Sequence, residues 1–252
     1  MTASTTRFSS RVDDYVKYRP TYPREAVDAI VRWARLEAGA TIADVGSGTG
    51  ISARPFLERG FRVIGVEPNA EMRAAAERDL GASPNFRSVN GTAENTTLGD
   101  ASVDLAIAAQ AFHWFRSNEA RAEIARVTKS PHACALIWNE RLVDTDFLRA
   151  YEAALFAHGI DYAKVDHRNV DPPRLDAFFR GPYETMRFPN AQRFDRDGLV
   201  GRALSSSYVP QKGHASHDAM MAALDRIFAE HARDGVVEFR YTTIVHAGKL
   251  AA

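Results

Sequence analysis

Compact apolar runs that alternate with stretches of helical periodicity organise this chain. Residues 41–45 and 62–66 read as its first two strands, and each leads into helix-compatible sequence, 51–60 after the first and 71–80 after the second. The second stretch is dense in strong helix formers and closes at Gly81. A third strand is expected over 85–90 and a fourth over 103–109, the latter apolar enough to lie centrally in a parallel sheet. A helix over 118–127 and a turn at Pro131-His132 lead into a fifth strand, 133–138. Ahead of them all, residues 23–36 set Ala26, Val27, Ala29, Ile30, Trp33 and Ala34 at helical spacing behind a first-turn proline, Pro23. Strands and helices alternating in this way imply an α/β fold, a doubly wound parallel sheet with right-handed crossovers.

The alternation changes past Asn139. Residues 146–158 are amphipathic and 172–179 form a shorter helical stretch, whereas 183–194 and 236–246 have strand composition, the latter alternating cleanly. Between those two strands lie 197–207 and a strong helix, 217–233. At the other end, a polar lead precedes a short helix over 8–18, broken by Tyr15-Val16-Lys17-Tyr18-Arg19-Pro20-Thr21-Tyr22-Pro23. Its tyrosines and arginine either pack this arm onto the domain or face a pocket that the arm closes.

The candidate chemistry begins at the tip of the first strand. Asp44-Val45-Gly46-Ser47-Gly48-Thr49-Gly50 is a glycine turn between a strand and a helix, which lets the backbone approach a nucleotide-like ligand. Glu67 ends the second strand, placed to accept hydrogen bonds from ribose hydroxyls. The spacing departs from the G-x-G-x-x-G of dinucleotide folds. The Asp44 carboxylate would be a poor neighbour for pyrophosphate but a good one for a cation or an amino group, and S-adenosylmethionine carries both.

The pattern D-x-G-x-G-x-G, followed by an acid at the end of the second strand, resembles the class I S-adenosylmethionine-dependent methyltransferases. The resemblance implies a Rossmann-like seven-stranded sheet with an antiparallel last strand, 183–194 and 236–246 being the closing pair. It divides the chain into an N-terminal arm and lid (1–40), a cofactor-binding core (41–140), a small helical cap (141–182) and the strands and helices that complete the sheet (183–252). It also implies S-adenosylmethionine as cofactor and S-adenosylhomocysteine as product. Asp44, Gly46, Ser47, Gly48, Gly50 and Glu67 would grip the cofactor, and Pro68, Asn69, Met72, Thr92, Ala93, Glu94, Gln110 and Ala111 would complete its site. Ala93 leaves room for adenine to lie flat, and Glu94 can accept from its exocyclic amine.

Directly after the fourth strand comes Gln110-Ala111-Phe112-His113-Trp114-Phe115. Lying past the strand end, these rings are expected to line the pocket where the methyl group meets its acceptor. With Trp138-Asn139-Glu140-Arg141, the segment resembles the branch that includes the trans-aconitate and cantharidin carboxyl methyltransferases, which implies a small-molecule acceptor. His113 is either a hydrogen-bonded structural residue or the base for a hydroxyl or amine acceptor. A carboxylate acceptor needs no base, and Arg19 or Arg141 would hold it. The expected substrate-binding set is Tyr15, Tyr18, Arg19, His113, Trp114, Asn139, Arg141 and Tyr208. Ser205-Ser206-Ser207 either lines the cavity or ends a helix.

Composition narrows this picture. The 252 residues carry 32 basic and 32 acidic side chains, so the surplus of positive charge that nucleic acid would favour is absent. Cys134, alone of its type, sits in an apolar run and reads as a buried strand thiol, which fits a reducing, cytoplasmic setting. No run approaches the roughly 20 apolar residues of a membrane span, and the first ten residues lack the apolar core of a secretion signal. The histidines are scattered, so no metal is expected. The expected reaction moves a methyl group to an oxygen of a small molecule, by a monomer or homodimer. Methylation of nitrogen or carbon, a nicotinamide-dependent oxidoreductase, and a non-catalytic S-adenosylmethionine-binding module are the alternatives.

Overall fold

A computed structural model describes residues 16–164 and 171–250. Five strands run parallel: β1 (Thr41–Val45), β2 (Arg62–Val66), β3 (Phe86–Val89), β4 (Leu105–Ala109) and β5 (Ala133–Arg141). Two longer strands, β6 (Tyr183–Phe194) and β7 (Val237–Lys249), form an antiparallel ribbon that joins β5 through β7. The order is β3-β2-β1-β4-β5-β7-β6, the mixed seven-stranded sheet that the sequence implied. The helices follow as α1 (Arg24–Ala34), α2 (Arg54–Leu57), α3 (Ala70–Leu80), α4 (Ser117–Val127), α5 (Asp146–His158), α6 (Pro172–Phe179), α7 (Arg196–Leu204) and α8 (His217–His231).

The parallel strands are apolar on both faces because helices cover both. Ile42, Val63 and Ile107 pack against Val27 and Ile30 of α1, Phe56 of α2 and Leu80 of α3. Ala43, Val45 and Ala106 face the opposite layer, where Ile124 and Val127 of α4 meet Leu175, Phe178 and Phe179 of α6. A third cluster gathers Phe147, Tyr151 and Leu155 of α5, Leu199 of α7 and Leu224 of α8 around Phe239 and Tyr241 of β7. With 12 and 13 residues, β6 and β7 outrun the five-residue β1 and β4. Their surplus projects past the carboxyl ends of the parallel strands and carries this third cluster.

Several expectations are corrected. Among the described residues, 141–182 do not pack as one cap: Arg141 still belongs to β5, α6 joins the sheet layer beside α4, and α5 leaves to pair with α8. The apolar faces decide this, since Phe178 and Phe179 fill the sheet layer while Phe147 and Tyr151 meet Phe239. The helix expected over 51–60 shrinks to Arg54–Leu57, because Pro55 fits only a first turn and Phe61 N turns back to Phe56 O at 3.2 Å. β4 starts at Leu105 because Asp104 spends its carboxylate on Thr41 N, 2.8 Å away. β5 and β7 outlast their expected ends because they pair with each other from Ala133↔Lys249 to Arg141↔Tyr241.

The N-terminal arm lies across the ribbon. Thr21 O accepts from Asn139 Nδ2 at 3.1 Å and from Asn190 Nδ2 at 2.8 Å, and Tyr18 O accepts from Gln192 Nε2 at 3.2 Å. The Tyr18 ring rests on Gly201 of α7, where a Cβ would come within 2.1 Å of it. Tyr15 and most of the expected helix over 8–18 lie outside the described residues.

Candidate functional site

The chain leaves the sheet at Gly46, whose N–H donates to Val66 O at 2.8 Å. Gly46 and Gly48 both take left-handed backbone, with φ of 73° and 54°. A Cβ at Gly46 would fall 2.6 Å from Ala111 Cβ, whereas one at Gly48 would meet nothing within 4 Å. Packing therefore demands the first glycine, and the second borders open space that a side chain would enter. Gly50 is held by packing too, since a Cβ there would lie 2.5 Å from Leu80 Cδ1.

Asp44 is fully buried under this loop, its Oδ2 accepting from Ser52 Oγ at 2.6 Å. Its Oδ1 has no hydrogen-bond partner among the described residues, nor do the buried hydroxyls of Ser47 and Thr49. Burial pushes the Asp44 carboxyl up to about 7; the Ser52 bond opposes this and the charge of Glu67 adds to it. Glu67 does more than end a strand. Its Oε2 accepts from Gly48 N at 3.0 Å and its Oε1 from Asn69 N at 2.9 Å, so it clamps the loop to the start of α3. Burial raises its pKa as well, against the pull of those two amides. Each oxygen keeps a further lone pair for a hydroxyl.

Around the clamp, Asn69 Oδ1 caps α3 by accepting from Glu71 N at 2.9 Å and Met72 N at 3.0 Å. Met72 is buried beside Ala75 and Val16, and Pro68 is exposed. In the turn after β3, Ala93 is buried and the Thr92 hydroxyl accepts from Asn95 N at 3.2 Å. Glu94 commits Oε1 to Arg116 N at 2.9 Å, so one of its oxygens orders the entry to α4. Gln110 adopts φ 54°, strained for a residue with a side chain, and donates from Nε2 to Asn139 O at 3.1 Å. Ala111 lies under Gly46.

Two rings of the aromatic turn after β4, expected in the pocket wall, belong to the core instead. Phe112 and Phe115 turn inward, with Phe112 fully buried, 4.7 Å from Phe178 and 6.2 Å from Trp138 between ring centroids. Their partners come from α6 and β5, which is why a strand end can still feed the core. His113 and the half-exposed Trp114 point away. Burial, then the charge of Arg174, lowers the His113 imidazole to about 4. Arg174 is a site residue that the sequence did not reveal. It donates from Nη2 to Phe112 O at 3.1 Å and Phe115 O at 3.2 Å, holding the His113 turn from α6.

The expected substrate set divides. Asn139 is spent structurally, donating to Thr21 and accepting from Asn190 and Thr243 through Oδ1. Tyr18 packs on Gly201 and Phe194, and Arg19 donates to Ser205 O at 2.8 Å, so both fasten the arm. Arg141 donates through Nη2 to Glu152 and, at 3.0 Å, to Tyr162 Oη, while Tyr208 packs its ring 4.8 Å from that of Tyr162. Ser205 and Ser206 serve the end of α7 by bonding Arg202. Cys134 is buried, which pushes its thiol up to about 12. Among the described residues there is no group of three or more metal-ligating side chains, and no helix is long and apolar enough to cross a membrane.

The mixed sheet, with a glycine turn at the tip of β1 over a buried acid, defines a Rossmann-like α/β protein. The family model described as a methyltransferase domain matches residues 43–135, which contain the loop, Glu67 and the His113 turn. An uncharacterized methyltransferase of Mycobacterium bovis is 38% identical over 180 residues, covering 71% of this chain and 67% of its own length. An uncharacterized methyltransferase of Mycobacterium tuberculosis matches to the same extent. The solved structure of a protein described as a type II methyltransferase from Anaeromyxobacter dehalogenans shares the fold, with a TM-score of 0.66 at 24% identity over 92% of this chain and 98% of that one. The chain belongs to the class I S-adenosylmethionine-dependent methyltransferases.

Proposed function

We propose that this enzyme transfers the methyl group of S-adenosylmethionine to an oxygen of a small molecule. The observation that carries the reading is the unpartnered Oδ1 of buried Asp44 beside the open space at Gly48. A buried carboxylate without a partner is costly, and a cationic ligand relieves that cost. When bound, S-adenosylmethionine supplies a methyl group activated on a sulfonium.

Asp44 attracts the positive end of the donor, Glu67 offers its spare lone pairs to ribose hydroxyls, and Ala93 leaves a flat surface for adenine. Pro68, Asn69, Met72, Thr92 and Glu94 shape the adenosine end, and Gln110 with Ala111 closes the loop side. Trp114 and His113 border the acceptor. Catalysis is then mainly proximity and orientation of donor and acceptor. A nicotinamide oxidoreductase is set aside by family membership, whereas loss of activity in a retained fold is tested by turnover.

Titration calorimetry with S-adenosylhomocysteine checks the donor site, because its ammonium needs ionised Asp44. With that group titrating at about 7, affinity should fall about tenfold from pH 8 to pH 6 and further below, and level off near pH 8. Binding that ignores pH between 6 and 8 would reject the assignment.

His113, lowered to about 4, stays neutral at pH 6 to 9, with its lone pair free but its basicity below that of an ordinary imidazole. With a hydroxyl acceptor, His113→Ala should lower kcat by about 100-fold and leave KM for S-adenosylmethionine unchanged. An unaltered kcat would show that the acceptor arrives already ionised, as a carboxylate does.

A further inference from the structure

Behind the N-terminal arm, two buried guanidinium groups face a single paired carboxylate, Glu152, among the described residues. Arg141, at the end of β5, sits 5.1 Å over the Tyr151 ring and pairs with Glu152, yet its buried Nη1 has no hydrogen-bond partner among the described residues. Arg202 of α7 is 5% exposed and donates only to neutral oxygens, Tyr241 Oη and Ser206 Oγ, each at 3.1 Å. No carboxylate among the described residues lies within 4 Å of its guanidinium. Tyr151 stands in the electrostatic reach of both arginines; it is 1% exposed, and its hydroxyl has no hydrogen-bond partner among the described residues.

A fold does not leave two cations and a hydroxyl in this condition without cost, because buried charge needs an opposite charge and buried donors need acceptors. The missing partner is an anion with two acceptor oxygens. The place suits the acceptor of a methyl transfer. Arg141 lies two residues beyond Asn139, whose carbonyl takes the Gln110 amide at the tip of β4, and β4 adjoins β1 with its glycine loop. From β1 to β5 is two strand spacings, roughly 10 Å, within the span of a small metabolite.

We infer that Arg141, Tyr151 and Arg202 form the subsite for a carboxylate of the acceptor. This deepens, and rests on, the methyl-transfer reading above. The Arg141 Nη1–H and the Tyr151 O–H donate to the two carboxylate oxygens, and Arg202 supplies the balancing charge. Glu152 and Tyr162 hold Arg141 at that angle, and Ser206 and Tyr241 do the same for Arg202.

The test uses the full chain saturated with S-adenosylhomocysteine. Glutarate is titrated against its uncharged analogue glutaramide and against inorganic phosphate, at matched ionic strength, with melting temperature and calorimetry as readouts. Glutarate should stabilise the protein more than either control. Tyr151→Phe should weaken glutarate binding about tenfold while S-adenosylhomocysteine binds as in the wild type. Should Arg202→Gln fail to fold, Arg202→Lys serves as the second variant, with a loss of the same sign. Equal shifts from glutarate and glutaramide, a preference for phosphate, or full glutarate affinity in Tyr151→Phe would overturn the subsite. A wild-type chain that fails to bind S-adenosylhomocysteine would instead overturn the donor site.

Discussion

Asp44→Asn will weaken S-adenosylmethionine binding by about 100-fold, about 3 kcal/mol, while the protein keeps its fold. The position of the charge decides this. Asp44 is fully buried, receives one bond from Ser52, and has one oxygen without a partner. Its carboxyl titrates at about 7 in the folded chain, against an ordinary value of 3.8. The folded state thus holds the proton more tightly than the unfolded one, so stability drops as pH rises from about 4 to about 7 and is level beyond. Asparagine escapes that loss and sets against it an amide without a partner, worth about 1–3 kcal/mol. Urea unfolding at pH 8 should therefore need no less denaturant in the variant. A variant that binds the donor normally, or one that no longer folds, would refute this account of the loop.

Phe112→Ala has the larger effect on stability. The ring is fully buried, edge-on to Phe178 at 4.7 Å, with the Arg174 guanidinium 4.8 Å from its centroid. Removing a ring from such a site costs about 3–5 kcal/mol, since the space left cannot close. The urea midpoint should fall with an unchanged slope, and turnover should fall with it because the His113 turn loses its anchor. A pocket-lining ring would leave stability nearly untouched, so the measurement separates the two placements.

Local sequence carries the fold further than it carries the site. The first two strands were legible to the residue, because each apolar run ends at a residue the sheet cannot use, Gly46 for one and the loop-clamping Glu67 for the other. The ribbon β6–β7 was legible as composition. Phe112 and Phe115 were misplaced because their partner, Phe178, arrives more than sixty residues later on a helix that looked like a cap. Asn139 looked like a substrate ligand, but its amide is consumed by Thr21 and Asn190, which only the folded arm brings near. Arg174 and Arg202 carry no local signal at all; each acts through a carbonyl or hydroxyl distant in sequence.

The third apolar cluster joins the sheet through Phe239 and Tyr241 of β7, and the arm reaches it through Tyr18 and Arg19 on α7. Helices α5, α7 and α8 can thus drift in sequence without disturbing the glycine turn or its clamp. Grafting those three helices between relatives should therefore carry the choice of acceptor across and leave the donor site intact.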